Sequence, residues 1–176
     1  VLLTIDDDFD VSNGVLYEQT YDRGNQDRIY IELAGIFDIQ PGYVITVSDA
    51  QYTRFHQVTS LTVTGWDFED DKIFGTAAPN SSLNIHAKNS DTDWVWRSTT
   101  TDNFGNWVFD FSQPGIYSGE QSLLDIKPGT WGAATQGGSL PGEGGQTHYA
   151  FYVPNPFIIV QPNEDSVFAF GWPIGS

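Results

Sequence analysis

Cysteine and methionine are both absent from the 176 residues. Without cysteine the chain can form no disulfide and no thiolate metal site. Without methionine it is not a translation product that keeps its initiator, so a processed chain or an excerpt is expected. Basic residues are scarce: seven Lys and Arg against 23 Asp and Glu leave a net charge of −16. Nucleic acid and anionic membrane surfaces call for basic patches, so neither is expected as a partner. The longest apolar run, Pro156-Phe-Ile-Ile-Val160, is strand-sized, and no direct membrane insertion is expected. No leader peptide is visible. Gly-x-Ser-x-Gly, His-Glu-x-x-His and phosphate-loop patterns are missing too, and the chain is read as a non-enzyme.

Helix periodicity is almost absent, whereas alternation with period two is dense. Arg28–Leu33 places Ile29, Ile31 and Leu33 on one face; Trp107–Phe111 does the same with Trp107, Phe109 and Phe111. Leu83–Ala87 alternates cleanly. Further strands are expected at Val15–Tyr21, Tyr43–Ser48, Thr53–Val58, Trp94–Thr99, His148–Val153 and Val167–Gly171. Turn clusters fall between them, such as Ser12-Asn-Gly14 and Gln40-Pro-Gly42. Short strands without intervening helices predict an all-β, antiparallel sandwich architecture.

Two motifs recur. Asp71-Lys-Ile-Phe74 leads to Pro79-Asn-Ser-Ser82-Leu-Asn-Ile85; Asp165-Ser-Val-Phe168 leads to Pro173-Ile-Gly-Ser176, which Val1-Leu-Leu-Thr-Ile5 would continue. Phe37-Asp-Ile-Gln-Pro-Gly42 matches Leu124-Asp-Ile-Lys-Pro-Gly129 in the same order. The chain therefore reads as two homologous modules, one of them split across the termini, like one period of a repetitive protein. Residues 1–58 form the first module, completed by 165–176 of the same or a neighbouring unit. Residues 71–153 form the second, and 59–70 and 154–164 are read as linkers. Ala133–Gln146 is expected to be a surface loop long enough to carry function.

From Phe74 to Ile85, and again from Thr99 through Asp102, Gly105 and Trp107, the sequence resembles bacterial immunoglobulin-like tandem-repeat domains. Asn80 stands where such repeats usually have glycine, and asparagine also tolerates that turn. The resemblance implies two immunoglobulin-like β-sandwich modules in a large secreted or cell-surface protein, working as a stalk, adhesin or filament.

Head-to-tail contact with other copies would then fall to the terminal strands: Val1, Leu2, Leu3, Thr4 and Ile5 at one end, Val167, Phe168, Phe170 and Trp172 at the other. An unpaired terminal strand is an open sheet edge that invites β-addition. The acidic clusters are the candidate metal ligands. Asp67, Glu69, Asp70 and Asp71 lie at one junction, Glu164 and Asp165 at the other, and Asp6, Asp8 and Asp10 after the first strand. Calcium, which takes six to eight oxygens from flexible loops, is the ion they would suit. Asp6–Asp10 begins like an EF-hand, but Val11 occupies the turn-glycine position and Tyr17 the twelfth, so that loop is rejected. His56, His86 and His148 have no metal-ligand spacing, and His86 is expected to face solvent. The alternative reading is a carbohydrate-binding module of a secreted protein, with Trp94, Trp96 and Trp131 stacking on surface glycans. Trp107 is expected in the core.

Overall fold

The computed structural model describes residues 1–10 and 14–172. Strands account for 43% of the chain, and antiparallel pairing occurs in every sheet, as the alternation predicts. The only helical element among the described residues is a single 3₁₀ turn, Ser118–Glu120. The chain divides into two compact units: residues 1–60 with 136–147, and residues 61–135 with 148–176.

The second unit packs two sheets around its core and carries a separate two-stranded one. Strands β7 (Ser82–Lys88), β8 (Val95–Thr100), β10 (Trp131–Gly137) and β11 (Gln146–Tyr152) form one, in the order β8-β7-β10-β11. Strands β5 (Thr62–Asp67), β6 (Lys72–Thr76) and β9 (Asn106–Asp110) form the other, with β6 in the middle. The alternating faces meet in a core of Ile73, Leu83, Ile85, Ala87, Val95, Trp107, Phe109 and Phe111, closed by Leu124 and Ile126. Full burial of each large apolar side chain contributes about 1.5–3 kcal/mol. Gly75 is demanded by close packing: a Cβ there would lie 2.0 Å from the Thr62 carbonyl oxygen and 2.5 Å from the Trp107 ring. Buried Arg97 donates to the carbonyls of Trp96, Asp110, Gln113, Glu120 and Ser122. It thereby ties the long connection after β9 to the sheet, and its guanidinium lies 5.3 Å from the Phe111 ring centroid.

The first unit has one sheet. Strands β1 (Leu2–Asp6), β2 (Tyr17–Thr20), β3 (Val44–Ser48) and β4 (Thr53–Gln57) lie in the order β2-β1-β3-β4. This is the second unit's four-stranded order with each strand replaced by its sequence counterpart. The Pro-Gly turns are equivalent as well. Gly42 and Gly129 have φ of 97° and 87°, which favours glycine. Each donates to the end of the next hairpin, Gly42 to Val58 O at 2.8 Å and Gly129 to Val153 O at 2.9 Å. Among the described residues, this unit's core cluster is Leu3, Ile5 and Leu33, with Tyr17, Ile31, Phe37, Ile45 and Val47 half-buried around them. Arg28–Leu33, expected as a strand, is not one. Its counterpart β9 is held by pairing with β6, and backbone alternation without a ladder partner does not make a strand.

The expected linkers are structured. Thr59–Asp70 holds β5, part of the second unit's three-stranded sheet. Pro154–Glu164 holds β12 (Phe157–Gln161), which pairs only with β13 (Ser166–Phe170). Ala133–Gln146 is a loop only in its middle, since β10 and β11 enter it from both sides. The expected turn at Ser12-Asn13 and the assembly segment's end, Pro173–Ser176, lie outside the described residues.

Candidate functional site

The β12–β13 hairpin repeats β5–β6 in both sequence and geometry. Asp71 and Asp165 open the second strand of each with left-handed φ values of 52° and 47°. Asparagine and aspartate are the non-glycine residues that reach this region most readily. The ladders correspond: Trp66 faces Ile73 as Val160 faces Val167, and Val63 faces Gly75 as Ile158 faces Ala169. What differs is the cover. Ile73 is 0% exposed in the core, whereas Val167 is 65% exposed. Ile158 and Val160 are exposed on that same face, and Phe157, Ile159, Phe168 and Phe170 on the opposite one. Phe157 and Phe170 stack with ring centroids 5.0 Å apart. A two-stranded hairpin with both faces apolar and uncovered is marginal in water, and an apolar patch of this extent marks an interaction surface.

The first unit presents the reciprocal situation. In the second unit, Asp71 anchors the hairpin: its carboxylate accepts the Ile126 amide at 2.8 Å, and its backbone carbonyl accepts the Phe111 amide at 2.9 Å. The first unit's counterparts of those donors are Ile39 and Leu33. Ile126 is 1% exposed; Ile39 is 43% exposed. Beside them is a cleft lined by Ala34, Gly35, Ile36, Phe37 and Asp38.

The terminal-strand expectation is corrected at one end. β1, containing Leu2, Leu3, Thr4 and Ile5, is paired to β2 on one side and β3 on the other. Val1 is tied to Tyr21 in both directions, at 2.7 and 2.8 Å. With both ladders occupied, this segment has no edge to offer. Its Leu3 and Ile5 face this unit's own core and are buried there. At the other end Val167, Phe168, Phe170 and Trp172 are exposed.

The junction carboxylates do not gather. Asp67 Oδ1 accepts the Glu69 and Asp70 amides, Asp70 pairs with Lys72, and Asp71 caps Ile126. Among the described residues, the one acidic group compact enough for a cation is Asp6, Asp7 and Asp8, with ligand atoms within 4.8 Å of one another. Glu164 and Asp165 are not part of it, nor is Asp10, whose amide donates to Asp8 at 2.7 Å. Asp6 is 4% exposed, and its Oδ2 is buried without a hydrogen-bond partner. An orphaned carboxylate oxygen is costly unless something compensates it. Sequence reading names Asp6 and Asp8 of this cluster but does not single out Asp7.

The aromatic candidates do meet. Trp94 and Trp131 pack edge to face at 4.5 Å between centroids, and His86 lies 4.8 Å from both Trp94 and Trp96. Lys88 Nζ sits 5.0 Å from the Trp94 and Trp131 centroids, and His148 is 5.9 Å from His86. His86 is half-buried among the rings rather than open to solvent. Burial, and secondarily the charge of His148, lower its pKa from the ordinary 6.5. Lys88 was not anticipated; its place two residues after His86 on the same face was the available signal. In the first unit, Glu143 is held by the Gln57 amide at 2.8 Å and by His56 Nδ1 at 2.5 Å.

No family model, curated protein or solved structure matches this chain. No helix among the described residues is long and apolar enough to cross a membrane.

Proposed function

We propose that the chain is an extracellular structural repeat unit of a bacterial surface stalk, adhesin or filament, built of immunoglobulin-like modules that join further copies head to tail. The single observation that carries this reading is the β12–β13 hairpin, a repeat of β5–β6 whose core-facing side is exposed. The chain's work is mechanical and adhesive, and its net charge of −16 keeps the assembled surface solvated. Sedimentation velocity over a concentration series tests it. Growth of head-to-tail species is expected, and a monomer at every concentration would contradict it. A denaturing gel of native material then separates one long covalent repeat from individual subunits near 19.5 kDa.

Calcium bound at Asp6, Asp7 and Asp8 would rigidify the loop after β1, a reading favoured by the buried, unpartnered Asp6 Oδ2. An ion bound only to the folded state must raise its melting temperature. Equal melting in calcium and in chelator would remove the ion from the account.

The grouping of Trp94, Trp96 and Trp131 with His86, Lys88 and His148 favours a second reading, a carbohydrate-binding face that recognises surface glycans. Tryptophan fluorescence titrated with polysaccharides tests it; an unchanged spectrum with every glycan would count against it.

A further inference from the structure

We infer that the β12–β13 hairpin of one copy inserts as the missing second layer of the first unit of another copy, in a register set by the second unit. This rests on the head-to-tail reading above and names its interface.

The template is internal. In the second unit β6 pairs with β9 so that Ile73 faces Phe109, Phe74 faces Val108 and Gly75 faces Trp107. Asp71 begins the second strand of that hairpin and Asp165 begins the second strand of the terminal one. Phe111 ends the alternating run at β9, and Leu33 ends its counterpart. Substituting counterpart for counterpart sets Val167 opposite Ile31, Phe168 opposite Tyr30 and Ala169 opposite Ile29. Asp165 then offers its carboxylate to the Ile39 amide and its carbonyl to the Leu33 amide, as Asp71 does for Ile126 and Phe111.

Chemistry agrees with this register at each position. Val167 and Ile31 both belong to core-facing sets. Phe168 and Tyr30 are both exposed aromatics and become a cross-strand pair on the outer face. Ala169 and Ile29 are complementary in size. Where the second unit has the large Trp107, its partner must be Gly75, because a Cβ would strike the ring. Where the first unit has the smaller Ile29, the partner position carries the methyl of Ala169. The β5–β6 ladder shifts register between Val63 and Gly65, whereas β12–β13 runs without a shift. On the head-to-tail reading, the hairpin that takes this site belongs to a second copy of this chain. Docking converts Arg28–Leu33 into a strand and buries Ile158, Val160 and Val167 against the half-buried Ile29 and Ile31, at the margin of the Leu3, Ile5 and Leu33 cluster.

The chain has no cysteine, so disulfide trapping is clean. Copies carrying Tyr30→Cys are mixed with copies carrying Phe168→Cys under mild oxidation. Facing residues of an antiparallel pair lie about 4.5–5.5 Å apart at Cα, within disulfide reach. A disulfide-linked dimer is expected from the mixture, and none from either variant alone or from Phe168→Cys mixed with Tyr52→Cys. A second readout is size exchange. Ile29→Trp is expected to weaken association about tenfold or more, and Ala169→Gly in the partner to restore it, reproducing the Trp107 and Gly75 pair. Association with no Tyr30–Phe168 cross-link and no rescue overturns this register but leaves head-to-tail assembly standing. Absence of association overturns both. A dilution-independent cross-link within one chain bearing both cysteines overturns the second copy as occupant.

Discussion

The two units share a strand order and differ in how many layers they have. The second places a three-stranded sheet over its four-stranded one and buries Ile73, Trp107, Phe109 and Phe111 between them. The first has the four-stranded sheet, and among the described residues its core cluster buries only Leu3, Ile5 and Leu33. The same alternating pattern gives a strand at Asn106–Asp110 and none at Arg28–Leu33. The difference teaches that this architecture is completed by its hairpin. Where β5–β6 is present, the β9 segment finds a ladder and the core closes. Where it is absent, the pattern is written in the sequence but remains unpaired.

Core truncation should separate the units most strongly. Phe109→Ala is expected to destabilise the second unit by about 3–5 kcal/mol. Ile31→Ala, its counterpart, should cost less in the dilute chain, because Ile31 is only half-buried there. All six tryptophans fall in the second unit, so denaturation followed by tryptophan fluorescence reads that unit alone, while far-ultraviolet dichroism reads both. Next is Arg97→Met, expected to cost the second unit about 3 kcal/mol because several carbonyls lose a charged donor. The anchoring aspartates follow. Asp71→Gly keeps the left-handed backbone accessible but removes the acceptor of the Ile126 amide, for a loss of about 1–2 kcal/mol. Asp165→Gly should leave the dilute chain's melting unchanged and weaken only self-association.

The smallest effect is on pH. Burial raises the Glu143 pKa, but the Leu140 and Gln57 amides and His56 outweigh it and hold the group below its ordinary 4.5. A carboxylate depressed by folding stabilises above its unfolded value, and that contribution is lost as pH falls through the folded value. The first unit should therefore lose stability below about pH 4.5, and Glu143→Gln should flatten its profile there. An unchanged profile in that variant would place the acid sensitivity elsewhere.

Much of the fold was legible because period-two alternation is a direct imprint of a sheet with one buried face. The Pro-Gly and aspartate motifs were legible because left-handed turns restrict residue choice: Gly42 and Gly129, Asp71 and Asp165 adopt the same backbone in both copies. The role of Leu61-Thr-Val63 and Phe157–Val160 was hidden because a strand and an extended linker share a composition; only pairing with β6 and β13 distinguishes them. The fate of Asp67 was hidden for a related reason. Acidic residues that close a turn on backbone amides look, in sequence, like ligands awaiting a cation. The aromatic grouping was half visible: Trp94 and Trp96 share a face by alternation, whereas Trp131 and His148 arrive from strands far along the chain.

The central claim is tested most directly by amide hydrogen exchange at Leu33 and Ile39, compared between dilute monomer and assembled material. The account predicts fast exchange in the monomer and slowing of about a hundredfold or more on assembly. Phe111 and Ile126, already bonded to Asp71, should be protected in both. Leu33 and Ile39 exchanging at the monomer rate in assembled material would contradict it.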